Sequence, residues 1–97
     1  GQIPLDPESN ELISDSIEAA TKQSLRNVQR ILEAAGLELR HVVKASVFLI
    51  NTEDYTGMDA TYKDIMPEPF PAREAVFVAG LPNGARVEIS VIAHTHR

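Results

Sequence analysis

From Ile17 to Ala35 the apolar residues Ile17, Ala20, Leu25, Val28, Ile31, Leu32 and Ala35 recur at helical spacing. This predicts an amphipathic helix of about 20 residues, roughly 30 Å long at 1.5 Å per residue. Asp15, with Glu18 three residues later, resembles a capping box in which Asp replaces the usual Ser or Thr, and Gly36 supplies the stop. The period then changes to two. Val42 to Ile50 is rich in β-branched and aromatic residues, with Val43, Ala45, Val47 and Leu49 on one face and Val42, Phe48 and Ile50 beside Lys44 and Ser46 on the other. That pattern predicts a central strand. A second, shorter helix follows, capped by Asn51 or Thr52 and running to about Ile65, with Tyr55, Met58, Tyr62 and Ile65 as its inward stripe. Glu53 and Asp54 favour its N-terminal dipole, and Pro67, Pro69 and Pro71 end it.

Two more alternating runs complete the chain, residues 73–79 and 86–93, separated by Leu81-Pro82-Asn83-Gly84. Asn-Gly between such runs predicts that they pair as a hairpin. Before the first helix, Ile3 to Asn10 carries Pro4, Pro7 and a run of turn formers, and reads as an extended segment entering a turn. The order of elements gives an α+β sandwich, two helices on one face of a small mixed sheet. Two helices cover only one face, yet the strands at 42–50 and 73–79 are apolar on both. Burial of the second face against another copy of the chain is the natural remedy.

At 97 residues, 43% of them hydrophobic and 24% charged, the chain makes a single globular domain spanning residues 1–97. No uninterrupted apolar run, Val47 to Ile50 included, comes near the roughly 20 residues that cross a bilayer, so no membrane partner is expected. Gly1-Gln2-Ile3-Pro4 does not read as a signal peptide. There is no cysteine, hence neither a disulfide framework nor a thiolate nucleophile. Nine Lys and Arg against fourteen Asp and Glu leave a formal charge of −5, which argues against nucleic acid and for small-molecule or protein partners.

Among residues able to carry chemistry, Arg73 follows Pro69-Phe70-Pro71 at the start of a strand, where its guanidinium could hold a planar carboxylate through two parallel hydrogen bonds. The plainer reading is a surface arginine paired with Glu74 or another acid. Glu88 lies between Val87 and Ile89 and points away from the face those two bury. Enclosed at an interface near an arginine, such a carboxylate could position a water and move protons; otherwise it is an ordinary outward polar residue. His94 and His96 sit at strand spacing, but two imidazoles with His41 far away are too few for zinc, and no metal site is expected. Ser46, Ser90, Tyr55 and Tyr62 read as structural or surface groups. No phosphate-binding, dinucleotide or nucleophile-elbow motif is present.

Taken in order, Gly1-Gln2-Ile3-Pro4, Glu33-Ala34-Ala35-Gly36, Val42-Val43-Lys44, Val47-Phe48-Leu49, Tyr62, Pro71-Ala72-Arg73, Leu81-Pro82 and Val87-Glu88-Ile89 resemble the RidA (YjgF/YER057c/UK114) family across essentially the whole chain. The resemblance implies a chorismate-mutase-like α+β fold and a homotrimer whose sheets form a central barrel, with ligand clefts between subunits. It implies hydrolysis of reactive enamines and imines, such as 2-aminoacrylate and its imine tautomer, to 2-oxo acids and ammonia without cofactor or metal. On that pattern Arg73 holds the substrate carboxylate with help from the Ala75 backbone. Glu88 deprotonates the attacking water, and Gly1 lends main-chain atoms to the cleft wall.

Departures from the pattern are expected to matter. Asp59 stands where an asparagine often faces the cleft and would repel an anionic substrate; Ala75 replaces a frequent cysteine, and Glu74 a frequent serine. A Gly-Pro-Tyr hairpin and a serine that walls the ligand in relatives would precede Gly1. The partners implied are small 2-imino or 2-oxo carboxylates, in the cytoplasm or the mitochondrion. A non-catalytic trimeric module binding small carboxylates or proteins is the alternative, and an endoribonuclease or translation inhibitor the third reading.

Overall fold

A computed structural model describes residues 1–95; His96, one of the two imidazoles considered as metal ligands, lies outside them. The main elements are helix α1 (Ile17–Ala34), strand β1 (Val42–Leu49), helix α2 (Tyr55–Ile65), strand β2 (Ala72–Phe77) and strand β3 (Val87–Ala93). The helices pack on one face of a mixed sheet, as the chain's periodicity predicts, and the strand order is β2-β1-β3.

The cap of α1 is Ser16 rather than Asp15: its side chain accepts from the Ala19 N–H at 3.0 Å, so the register of a box from Asp15 to Glu18 is off by one. The other end follows expectation. Gly36, at φ 77°, lets the N–H groups of Gly36 and Leu37 reach back to the carbonyls of Glu33 and Leu32, at 3.0 and 2.8 Å, and turns Leu37 onto the core. Leu25, Val28 and Leu32 from α1 and Met58 and Tyr62 from α2 meet Ala45, Val47, Leu49, Val87 and Ile89 of the sheet. Gly57 makes the helix contact possible, since a Cβ there would lie 2.6 Å from Ile17 Cγ2 and from Glu18 Oε2.

Three expectations are corrected. First, β2 and β3 do not form a hairpin. β2 runs parallel to one side of β1, α2 being the crossover, while β3 runs antiparallel along the other side. Asn83 (φ 60°) and Gly84 (φ 72°) do take the left-handed conformations expected of them. The turn they make closes locally, Gly84 N–H to Leu81 O and Ala85 N–H to Pro82 O, within a connection too long to be a two-residue hairpin loop. Second, a bulge between Val42 and Lys44 breaks the alternation of β1, so Val42, not Val43, is fully buried with Ala45, Val47 and Leu49. Third, neither Asn51 nor Thr52 caps α2. A 3-10 turn, Thr52–Asp54, leads into it, and the carboxylate of Asp54 serves a different purpose.

That carboxylate is buried against Arg86, with Nη2 at 2.8 Å from Oδ1 and Nε at 3.3 Å from Oδ2; Nη1 of Arg86 also donates to the Ser14 carbonyl at 3.3 Å. This fork ties the start of α2, the approach to β3 and the segment before α1 together. Before α1, Gln2 pairs with Ile89 through Gln2 N–H to Ile89 O at 2.7 Å and Ile89 N–H to Gln2 O at 2.9 Å. Among the described residues, no helix is long and apolar enough to cross a membrane.

Candidate functional site

Cross-strand register fixes which face each candidate occupies. Arg73 lies opposite Ala45, which is fully buried beneath the helices, so Arg73 emerges on the helix side of the sheet, at its β2 margin. Ala75 follows two residues on, opposite Val47, and packs partly against the core. Glu88 lies opposite Phe48, on the face the helices leave open. Arg73 and Glu88 are therefore on opposite faces and on strands separated by β1. Within one chain they cannot share a crevice.

Around each a distinct half-site forms. The first is centred on Arg73, whose side chain is only 17% exposed. Its guanidinium carbon lies 4.9 Å from the centroid of the Tyr62 ring and 5.9 Å from that of Tyr55, and Nη2 donates to the Tyr55 hydroxyl at 3.0 Å. Nη2 also lies 2.8 Å from Asp59 Oδ1, yet no N–H is directed along that line, so Oδ1 is buried in an ionic contact without an aligned donor. The other oxygen, Oδ2, is 3.0 Å from Lys63 Nζ. Lys63 is the main cause that holds the Asp59 carboxyl below its ordinary range; Arg73 acts the same way, against the opposing pull of burial. Burial pushes the Tyr62 phenol up, partly countered by Arg73. Two cations and one anion leave this half-site with a net charge of +1.

Glu74, the partner a surface arginine would choose, is not available to Arg73. It points to the open face, where it accepts from Ser46 Oγ at 2.9 Å and lies 3.7 Å from Lys44 Nζ. Asp59 is the acid that Arg73 meets. Tyr55, expected on the inward stripe of α2, is 38% exposed at the mouth of this half-site. Sequence reasoning missed Tyr55 and Lys63 as neighbours of Arg73. Tyr55 and Asp59 are four apart on α2, as are Asp59 and Lys63, which puts all three on one helical face, but nothing in the sequence says that β2 lies against that face.

The second half-site joins Gly1 to Glu88. A Cβ on Gly1 would sit 2.5 Å from Glu88 Oε2 and 2.8 Å from Ser90 Oγ, so the bare backbone of Gly1 is what lets the carboxylate lie beside the extended segment that Gln2 anchors. A cavity of about 150 Å³ opens nearby, walled by Val28, Ile31, Leu32, Ile89 and Val91 with Gly1, Gln2 and Ser90. It includes neither Arg73 nor Glu88, and its apolar walls offer an anion no cation. Among the described residues no three His, Asp or Glu side chains gather to hold a metal ion.

The class is defined by an α+β sandwich of this topology with an arginine at the margin of one strand and a glycine-backed glutamate on the open face of another. The family model described as Endoribonuclease L-PSP matches residues 1–95, and the chain belongs to that family, the RidA (YjgF/YER057c/UK114) family. It is 42% identical over 93 residues to the human 2-iminobutanoate/2-iminopropanoate deaminase, covering 96% of this chain and 68% of that one. Among solved structures, the YjgF gene product of E. coli superposes with a TM-score of 0.93 at 41% identity, over 98% of this chain and 76% of that one. E. coli TdcF with bound serine gives 0.90 at 35%, over 96% and 75%.

Proposed function

We propose that the chain is an imine/enamine deaminase that hydrolyses 2-iminobutanoate- or 2-iminopropanoate-type acids to 2-oxo acids and ammonia. The relative so named, 42% identical over nearly the whole chain, supports the reading. A partly enclosed guanidinium carrying a net positive charge suits the substrate's carboxylate. The observation that carries the reading is the division of Arg73 and Glu88 between opposite faces, each in a built half-site. A site containing both needs two copies, Arg73 and the Ala75 backbone from one and Glu88 and Gly1 from the other.

On this reading three copies pack with their open faces inward. Phe48, Val76 and Ile92 lie on that face, Val76 and Ile92 being 40% and 59% exposed in the single chain. The substrate carboxylate docks on Arg73, which presents the C=N carbon to a water held by Glu88. Glu88 takes a proton as the water's oxygen bonds to that carbon and passes it to the imine nitrogen, giving the carbinolamine. Glu88 then takes the hydroxyl proton as the C–O bond becomes a carbonyl and delivers it to the nitrogen, which leaves as ammonia. No oxidant, reductant or cofactor enters this balance. We place the reaction in the cytoplasm or the mitochondrion. Cleavage of RNA, which the family description names, fits the chain less well: its net charge is −5, and Arg73 is partly neutralised by Asp59.

The test generates 2-aminoacrylate in situ and measures ammonia release, with the mass in solution read by analytical ultracentrifugation. Turnover is expected from a species of three times 10.6 kDa. Arg73→Ala and Glu88→Gln are each expected to lower turnover by about 100-fold or more, the scale of lost acid–base and anchoring contributions. Full activity in Arg73→Ala, or from a monomer, overturns the reading.

A further inference from the structure

A guanidinium offers a carboxylate two bidentate edges, Nε with Nη2 and Nη1 with Nη2, so each edge uses one of the two hydrogens on Nη2. In Arg73 that nitrogen is already engaged. One hydrogen is donated to the Tyr55 hydroxyl at 3.0 Å, and the Asp59 carboxylate stands 2.8 Å away. An incoming carboxylate that seeks both hydrogens of an edge meets either a phenol oxygen in its place or a like charge.

The two obstacles are unequal. Asp59 is held by Lys63 as well as Arg73 and its side chain is 22% exposed, whereas Tyr55 is neutral, 38% exposed and joins Arg73 through a single hydrogen bond at the first residue of α2. The phenol is the group that gives way. We propose that Tyr55 is a displaceable latch on Arg73, its hydroxyl occupying in the free protein the position a substrate carboxylate oxygen takes on binding.

The latch gives Arg73 a defined orientation before substrate arrives, at the expense of affinity, because ligand binding must break the Tyr55 bond. A ligand with two coplanar acceptor oxygens recovers it; one with a single acceptor does not. Tyr55 thereby acts through Arg73 as a positioning residue. The inference rests on Arg73 being the carboxylate anchor, and the experiment separates the two claims.

Binding of 2-oxobutanoate is measured by isothermal titration calorimetry and KM and kcat by ammonia release, for the unaltered chain, Tyr55→Phe and Arg73→Ala. Phe keeps the ring beside the guanidinium and removes only the acceptor oxygen. Tyr55→Phe is expected to tighten 2-oxobutanoate and to lower KM by about three- to tenfold, the scale of one partly exposed hydrogen bond to a charged group, with kcat changing by a smaller factor than KM. A dissociation constant that is unchanged or weaker in Tyr55→Phe, while Arg73→Ala abolishes binding, overturns the latch and leaves the anchor standing. Binding and turnover retained in Arg73→Ala, or absent from the unaltered chain, overturn both.

Discussion

Replacing Asp59 by Asn tests the electrostatics of the arginine half-site directly. Asp59 and Asn have nearly the same shape, and an amide oxygen can still face Nη2, so the substitution changes charge more than position. The trio of Asp59, Lys63 and Arg73 moves from +1 to +2. A substrate carboxylate on the far side of the guanidinium would lie about 6 Å from Asp59, where like-charge repulsion is about 3 kcal/mol at an effective dielectric of 20 and about 0.7 kcal/mol at 80. With Asp59 22% exposed and Lys63 more than half exposed, the weaker end applies, so KM for the imine is expected to fall about three- to tenfold at low salt. The gain should shrink in 0.5 M salt, where the screening length is a few ångström. Lys63 and Arg73 keep the Asp59 carboxylate ionised to lower pH than usual, so the wild-type penalty should be constant across neutral pH and ease only in acid. Steady-state kinetics at two salt concentrations measures this. A KM that rises in Asp59→Asn, or a change indifferent to salt, would show that Asp59 matters by orienting Arg73 and not by its charge.

The Arg86–Asp54 fork makes a second prediction: Asp54→Ala should cost about 2 kcal/mol in urea unfolding, below the 3–5 kcal/mol of a fully buried pair because the Arg86 side chain is 28% exposed and can turn to water. Gly57→Val should destabilise by about 1–3 kcal/mol, its Cβ entering the space of Ile17, and a variant as stable as the parent would show that α1 and α2 are less closely apposed than described. The sign of Asp59's pH linkage is also fixed. Its depressed value contributes stability above the unfolded carboxylate range that is lost as pH falls through the folded value, and Asp59→Asn should flatten that acid limb of the urea midpoint.

How far the sequence reaches is clearest in particular elements. Helical spacing placed α1 and Gly36 correctly because amphipathicity and a left-handed cap are local properties. It also implied a sheet with one face uncovered, since two helices cannot cover both. The Asn83-Gly84 turn was legible for the same reason, but the pairing of the strands around it was not: β1 can take β2 on one edge and β3 on the other, a choice made by long-range packing. The bulge at Val42 and the Ser16 cap similarly turn on one-residue register, which periodicity resolves poorly. Thr21 and Ser24, polar by type, lie fully buried on α1, and only the packing shows it.

For the site, Arg73, Glu88, Gly1, Asp59 and Ala75 were singled out by type, motif and resemblance, all of which the linear chain carries. Their grouping was not. Strand parity and register sent Arg73 and Glu88 to opposite faces, crossing of β2 against α2 brought Asp59, Tyr55 and Tyr62 around the guanidinium, and the pairing of Gln2 with Ile89 laid Gly1 against Glu88. Residue chemistry is written into the sequence one position at a time, whereas the distance between groups tens of residues apart exists only once the chain has packed.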